Sequence, residues 1–205
     1  MQYKIKNTNG NAFFIINYYF RKMIEPAAGI LLIADPFLKD PNFLRTVVLL
    51  CEHQNEGSFG FVLNKQIEQT LDELITDLEG YSLPVYYGGP VQMDTIHFLH
   101  QYPDLIPESV KVSDDIFWGG NFETVTALIK NESIDLSKIK FFIGYSGWGD
   151  CQLAGELKEK SWLTVSANRK LVFNTGQNEI WKGSLQHLGG EYEKMVNYPL
   201  DPLLN

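Results

Sequence analysis

A chain of 205 residues with 44% hydrophobic and 20% charged residues can bury a full core, which excludes a fibrous or disordered class and fits one globular domain. The formal net charge of −8 disfavours direct nucleic-acid binding, because attraction to phosphate backbones needs clustered Lys and Arg. Two cysteines, Cys51 and Cys151, with no C-x-x-C spacing make neither a disulfide framework nor a zinc site, so a reducing cytoplasm is expected, with no metal and no cofactor.

In chain order, Ala12 to Phe20 (AFFIINYYF) is an apolar run of about half a membrane span, followed by Arg21 and Lys22. That basic junction is unlike a secretory cleavage site, and no membrane partner is expected. Residues 1–22 are read as an appendage, with Met23 as an alternative first residue and 23–205 as a single domain; the competing reading is an extra edge strand. Gly29 to Ile33 is a short apolar strand stopped by Asp35-Pro36, and a second turn follows at Asp40-Pro41. Thr46 to His53 carries Val47, Val48, Leu49, Leu50 and Cys51 without a polar break. It is too short for a stable helix and rich in β-branched residues, which predicts a central strand covered on both faces. Burying its four aliphatic side chains is worth about 6–12 kcal/mol, comparable with the net stability of a domain. Gln54 to Gly57 turns the chain, and Ser58 to Asn64 alternates with Phe59, Phe61 and Leu63 on one face, completing a hairpin.

Thr70 and Glu73 form a capping box ahead of Leu71, Leu74, Ile75 and Leu78 at helical spacing, with Gly80 past the end. Strands are predicted at Val85 to Tyr87, at Thr95 to Leu99, and ending at Phe117-Trp118. Asn121 caps a helix with Phe122, Val125, Leu128 and Ile129 inward. Phe141 to Tyr145 is an apolar strand, and Ser146 to Gly149 turns it into a helix capped by Asp150, with Leu153 and Leu157 inward. Trp162 to Val165 and Leu171 to Phe173 suggest a second hairpin around Asn168, Ile180 to Leu188 a last helix stopped by Gly189-Gly190, and Asn197 to Asn205 an irregular strap. The expected class is α/β (α+β): a compact mixed β-sheet with a central buried hairpin and flanking helices.

Four blocks then stand in order: Cys51, Glu52, His53; Tyr87 to Val91 with Phe98, Leu99, His100; Gly144 to Trp148 with Gln152 and Leu153; and Ser161 to Thr164. Together they resemble the YqgE/AlgH family of bacterial proteins, from about Gly29 onward. The resemblance implies a mixed α/β fold in the cytoplasm and no established enzymatic activity; a role in transcriptional regulation is attached to one member. Cys151 stands where similar chains carry Gly, and residues 1–22 have no family counterpart.

Gly144-Tyr145-Ser146-Gly147-Trp148 is close to a nucleophile elbow, but Trp148 occupies the position of the last glycine in G-x-S-x-G. The same turn could hold an anion on helix N-terminal amides. Strand alternation puts Cys51 and His53 on one face and Glu52 on the other, without further metal ligands at recognisable spacing. Cys151, at a helix N-terminus, is expected to be the lower-pKa, more reactive thiol. His97 and His100 fall on opposite strand faces, and Arg45 has Asp35, Asp40 and Glu52 as candidate ion-pair partners. The leading expectation is a non-catalytic binding or regulatory protein whose loop-lined polar pocket takes a small anionic ligand or a protein partner. Its candidate residues are Asp35, Arg45, Glu52, His53 and Asn64, the Gly88-Gly89 turn, and Ser146, Gly147, Trp148 and Gln152. The alternative is a hydrolase or transferase using Ser146, His53 or Glu52, with His187 as a possible base.

Overall fold

The computed structural model describes residues 24–197 apart from 175. The expectations for residues 1–22 and for the tail beyond 197 lie outside the described residues. Ten strands form one mixed sheet. β1 (Ile30–Ala34), β2 (Val47–Gln54) and β3 (Gly57–Val62) come first, followed by β4 (Gln66–Thr70) and β5 (Pro84–Tyr87). After them come β6 (Val91–His100), β7 (Val110–Ser113), β8 (Ile116–Trp118), β9 (Ile139–Trp148) and β10 (Trp162–Ser166). Their order is β10-β1-β2-β3-β9-β6-β8-β7, and β5, carrying β4, lies alongside β9 as the one parallel pair. The expected α+β class with a central hairpin holds.

β2 is the strand its composition requires. Val47, Val48, Leu49 and Leu50 are all fully buried, and alternate members serve two cores. Val47, Leu49 and Cys51 face an inner core with Phe61, Phe142 and Leu163, while Val48 and Leu50 face an outer one with Trp148 and Trp162. The sheet curls around the inner core until β7 approaches the start of β1: a Cβ placed on Gly29 would lie 2.8 Å from Ser113 Cβ. Helix α4 (Gln177–Leu188) closes the end at which β2 begins, packing Ile180 and Leu185 inward and donating from Trp181 Nε1 to the Ala34 carbonyl at 2.9 Å. A third core lies under α1 (Leu71–Leu74) and α2 (Phe122–Lys130) on the outer side of β5, β6 and β9.

Two of the predicted caps hold. Asn121 Oδ1 accepts from the Thr124 N–H at 2.8 Å, and the Thr70 N–H donates to Glu73 Oε2 at 2.9 Å. The element after Thr70 is shorter than its periodicity predicts: α1 ends at Leu74, Ile75 is extended at φ −125, and Thr76–Leu78 forms a separate 3₁₀ turn. Leu71 and Leu78 are buried regardless. The predicted hairpin around Asn168 is corrected. Lys170–Asn174 is a helical turn started by Asn168 Oδ1, which accepts the Leu171 N–H at 3.0 Å, so local capping prevails over the strand-like composition. Strands β4 and β7, both half-exposed and without an apolar run, went unpredicted. Among the described residues no helix is long and apolar enough to cross a membrane.

Candidate functional site

The Ser146 segment is not a strand–turn–helix elbow. β9 continues through Trp148 because Ser58, Phe59 and Gly60 of β3 pair with Trp148, Gly147 and Ser146. Ser146 is fully buried, and its hydroxyl donates to the Gly88 carbonyl at 2.9 Å, so it presents no nucleophile. The Gly88-Gly89 turn crosses β9 so closely that a Cβ on Gly88 would collide with the Gly144 carbonyl oxygen, and one on Gly89 with the Tyr145 backbone. These glycines serve chain crossing rather than ligand contact. The turn to α3 (Gln152–Lys158) falls at Gly149 to Cys151 instead. There the Gly149 N–H donates to Gln152 Oε1 at 3.0 Å, and the amides after Ser146 form no anion cradle.

Cys151, not Asp150, stands at the cap of α3, in the left-handed region at φ 56 and ψ −2. Any residue with a Cβ is strained in this conformation, and glycine would not be. The Cys151 thiol donates to Asp150 Oδ1 at 3.0 Å, and that bond and charge push its pKa up, so the expected low-pKa thiol is corrected. Burial pushes the Cys51 thiol well up as well.

The expected pocket divides along β2. Asp35, Arg45 and Asn64 sit where the strand begins and Glu52 and His53 where it ends, about 25 Å apart at 3.3 Å per residue. The first group is structural. Asn64 Oδ1 accepts from the Val47 N–H and Nδ2 donates to the Arg45 carbonyl, both at 2.9 Å; Asp35 Oδ1 accepts from the Phe37 N–H; and the Arg45 guanidinium lies 5.0 Å from the Trp181 ring centroid. Near the same end Lys140, unnoticed in the sequence, is buried. Its Nζ donates to the Leu63 carbonyl at 2.8 Å and lies 3.9 Å from the Tyr86 ring centroid, and desolvation pushes its pKa down to about 8.

At the far end of β2 a groove of about 550 Å³ opens beside the β2–β3 turn. A β-bulge builds its rim. Leu50 pairs with Gly60 and Glu52 with Phe59, leaving Cys51 as the extra residue. Glu52 therefore takes the face of Phe59, opposite to the simple alternation expected, and lines the groove. His53 pairs instead with Ser58, Nδ1 lying 2.7 Å from its hydroxyl. Glu56 completes the acidic rim. The wall is aromatic: Phe59 meets Trp118 edge-on at 4.9 Å and Tyr145 at 5.9 Å, and Tyr145 meets His97 at 5.9 Å. Gly147 and Trp148 lie at its margin. Trp118 Nε1 and His97 Nε2 are buried and have no hydrogen-bond partner among the described residues. Desolvation lowers the His97 pKa and so favours the neutral imidazole.

His100 is a structural counterpart. It is fully buried, its Nδ1 accepts the Tyr102 N–H at 3.0 Å, and its Nε2–H faces the Gly119 carbonyl at 3.1 Å and Ser109 Oγ at 3.0 Å. The Ser109 hydroxyl donates to the Ile106 carbonyl, so His100 holds its Nε2 proton and is no base toward Ser109. Burial pushes its pKa down to about 4. Among the described residues no cluster of His, Cys, Asp and Glu has the make-up of a metal centre.

The AlgH-like family model matches residues 31–193. The UPF0301 protein of Chlorobium limicola is 42% identical over 86% of this chain and 95% of its own length, and that of Cytophaga hutchinsonii 40% over 86% and 98%. The solution structure of the AlgH protein from Pseudomonas aeruginosa superposes with a TM-score of 0.67 at 28% identity, covering 84% of this chain and 94% of that one. A crystal structure of a Corynebacterium diphtheriae protein shares the fold, with a TM-score of 0.74 at 20% identity over 89% and 97%. Matched along most of its length in sequence and in fold, the chain belongs to the AlgH-like family.

Proposed function

We propose that this is a non-catalytic, regulatory binding protein and that the groove at the β2–β3 turn receives its partner. The observation that carries this reading is the pair of nitrogens, Trp118 Nε1 and His97 Nε2, buried without partners in residues that line an open groove. An unsatisfied buried polar atom costs about 1–3 kcal/mol, and folds retain such atoms chiefly where a role compensates. Regulation would then act through protein contact rather than DNA, given the net charge of −8 and an acidic rim at Glu52 and Glu56. The same rim favours a cationic or neutral group over the anion that the glycine turns suggested. Two free thiols suit a reducing cytoplasm.

Gly147 provides the test. A Cβ there would meet side chains rather than backbone, Tyr145 Cε2 at 3.3 Å and Cδ2 at 3.8 Å and Val91 Cγ2 at 3.7 Å, so Gly147→Val narrows the groove with a small shift of the Tyr145 ring while the backbone stays in strand geometry. Mass spectrometry of natively purified protein should find a companion with the wild type that is lost from Gly147→Val, at nearly unchanged melting temperature. Equal recovery from both would place the binding elsewhere. A hydrolase reading retains one specific observation, the His53–Ser58 pair at the rim. It requires ester or amide turnover that disappears in Ser58→Ala while the fold persists.

A further inference from the structure

We infer that the groove is a receptor for an organic cation, the guanidinium or ammonium end of an arginine or lysine side chain in an extended segment of a partner protein. This rests on the binding reading above and specifies the occupant. Among the described residues the lining contains two carboxylates, Glu52 and Glu56, and no lysine or arginine. Its histidine, His97, is biased toward the neutral form by burial, so it adds little opposing positive charge. Behind the rim, Trp118, Phe59, Tyr145 and His97 meet edge to face in that order, an arrangement that turns ring planes in different directions around one space. Ring faces are the negative pole of an aromatic quadrupole, and rings so disposed beside carboxylates form the usual surroundings of a bound organic cation.

A peptide side chain fits better than a free amine. Trp118 Nε1–H is a donor without an acceptor, and neither guanidinium nor ammonium can accept a hydrogen bond. A backbone carbonyl beside the cationic side chain can, once binding uncovers the indole edge, whose nitrogen has almost no accessible surface in the free chain. The volume of about 550 Å³ holds such a side chain together with flanking backbone. The charge of −8 over the whole chain would speed encounter with a basic segment.

The test is a titration of the ¹⁵N-labelled full chain with acetyl-Gly-Arg-Gly-amide, its uncharged citrulline analogue, and methylguanidinium, followed at the Trp118 indole N–H and the Gly147 amide. The expected result is that the arginine peptide moves both resonances and binds at least tenfold more tightly than the citrulline peptide or methylguanidinium. The double variant Glu52→Gln/Glu56→Gln should weaken it at least fivefold and flatten its salt dependence; Glu52 is half-buried at the β2 bulge and Glu56 exposed in the turn, and an otherwise unchanged spectrum checks the fold. Equal binding of the citrulline peptide, or full affinity in the double variant, would overturn the cation assignment while leaving the groove as a binding site. Equal binding of methylguanidinium would overturn the peptide assignment in favour of a small organic cation. If no probe moves Trp118 or Gly147, the proposal fails; if Gly147→Val also keeps the wild-type companion, the groove reading fails with it.

Discussion

Two tryptophan clusters lie on opposite faces of the curled sheet, and they differ in how their polar atoms end. On the outer face, Trp148 and Trp162 pack edge to face at 6.0 Å with Phe43 beside them, and both indole N–H groups donate to Glu156 Oε2, at 2.8 and 2.7 Å. Gln152 Nε2, one turn earlier on α3, donates to the other oxygen at 2.9 Å and so orients the carboxylate whose bonds to the two indoles tie α3 to the strands it covers. At the groove, Trp118 packs as closely against Phe59, yet its indole N–H has no partner. The same side chains thus build a closed joint in one place and an unfinished surface in the other. What differs is a carboxylate within reach: Glu156 sits over the indoles, whereas Glu52 accepts from Gln54 Nε2 at the rim. A closed polar network contributes stability; an unfinished one contributes binding capacity at some cost in stability.

The largest expected effect breaks the closed cluster. Glu156→Ala leaves two buried indole donors unpaired and should destabilise by about 2–4 kcal/mol, a fall of roughly 5–15 °C in Tm for a chain of this size. Glu156→Gln, which keeps an acceptor, should recover about half. A loss below about 0.5 kcal/mol for the alanine variant would mean that the two clusters do not differ in energy as they do in geometry.

Acidification tests the histidines on the two faces of β6, half-buried His97 and buried His100. His100 falls from an ordinary 6.5 to about 4 in the folded chain, and His97 shifts in the same direction. The unfolded chain therefore takes up these protons first. The stability held by the neutral rings is complete above about pH 6.5 and is lost as pH falls toward 4. Melting temperatures measured between pH 7 and 5 should decline, and His100→Gln should flatten part of the slope; an unchanged slope would remove His100 as its cause.

Smaller effects come at the margin of the outer cluster. Cys151→Gly relieves a left-handed residue at the start of α3 and should stabilise by about 0.5–1 kcal/mol, read by denaturant melts. The smallest is the most discriminating. Trp118→Phe removes an N–H that has no partner and should change stability by less than about 1 kcal/mol, in contrast to the loss at Glu156. A loss as large as that of Glu156→Ala would show that the Trp118 indole is satisfied after all and would undo the comparison.

The sequence by itself determined the features that depend on near neighbours. The apolar run of β2, the Asn121 cap, the capping box at Thr70 and Glu73, and the hairpin turn each rest on a few adjacent residues, and each stands in the structure. Tertiary structure alone decided the site. Ser146 resembled a turn residue until β3 paired with it and extended β9; Glu52 alternated outward until the Cys51 bulge turned it to the groove; Lys140, which no local pattern singles out, is enclosed by the Tyr86 ring and the Leu63 carbonyl. Glu156 carried no local mark, since its two indole partners belong to different strands. The groove gathers Glu52, His97, Trp118 and Tyr145 from four strands. Their proximity is set by the curl of the sheet and the register of its pairs, which depend on contacts between residues far apart in the chain.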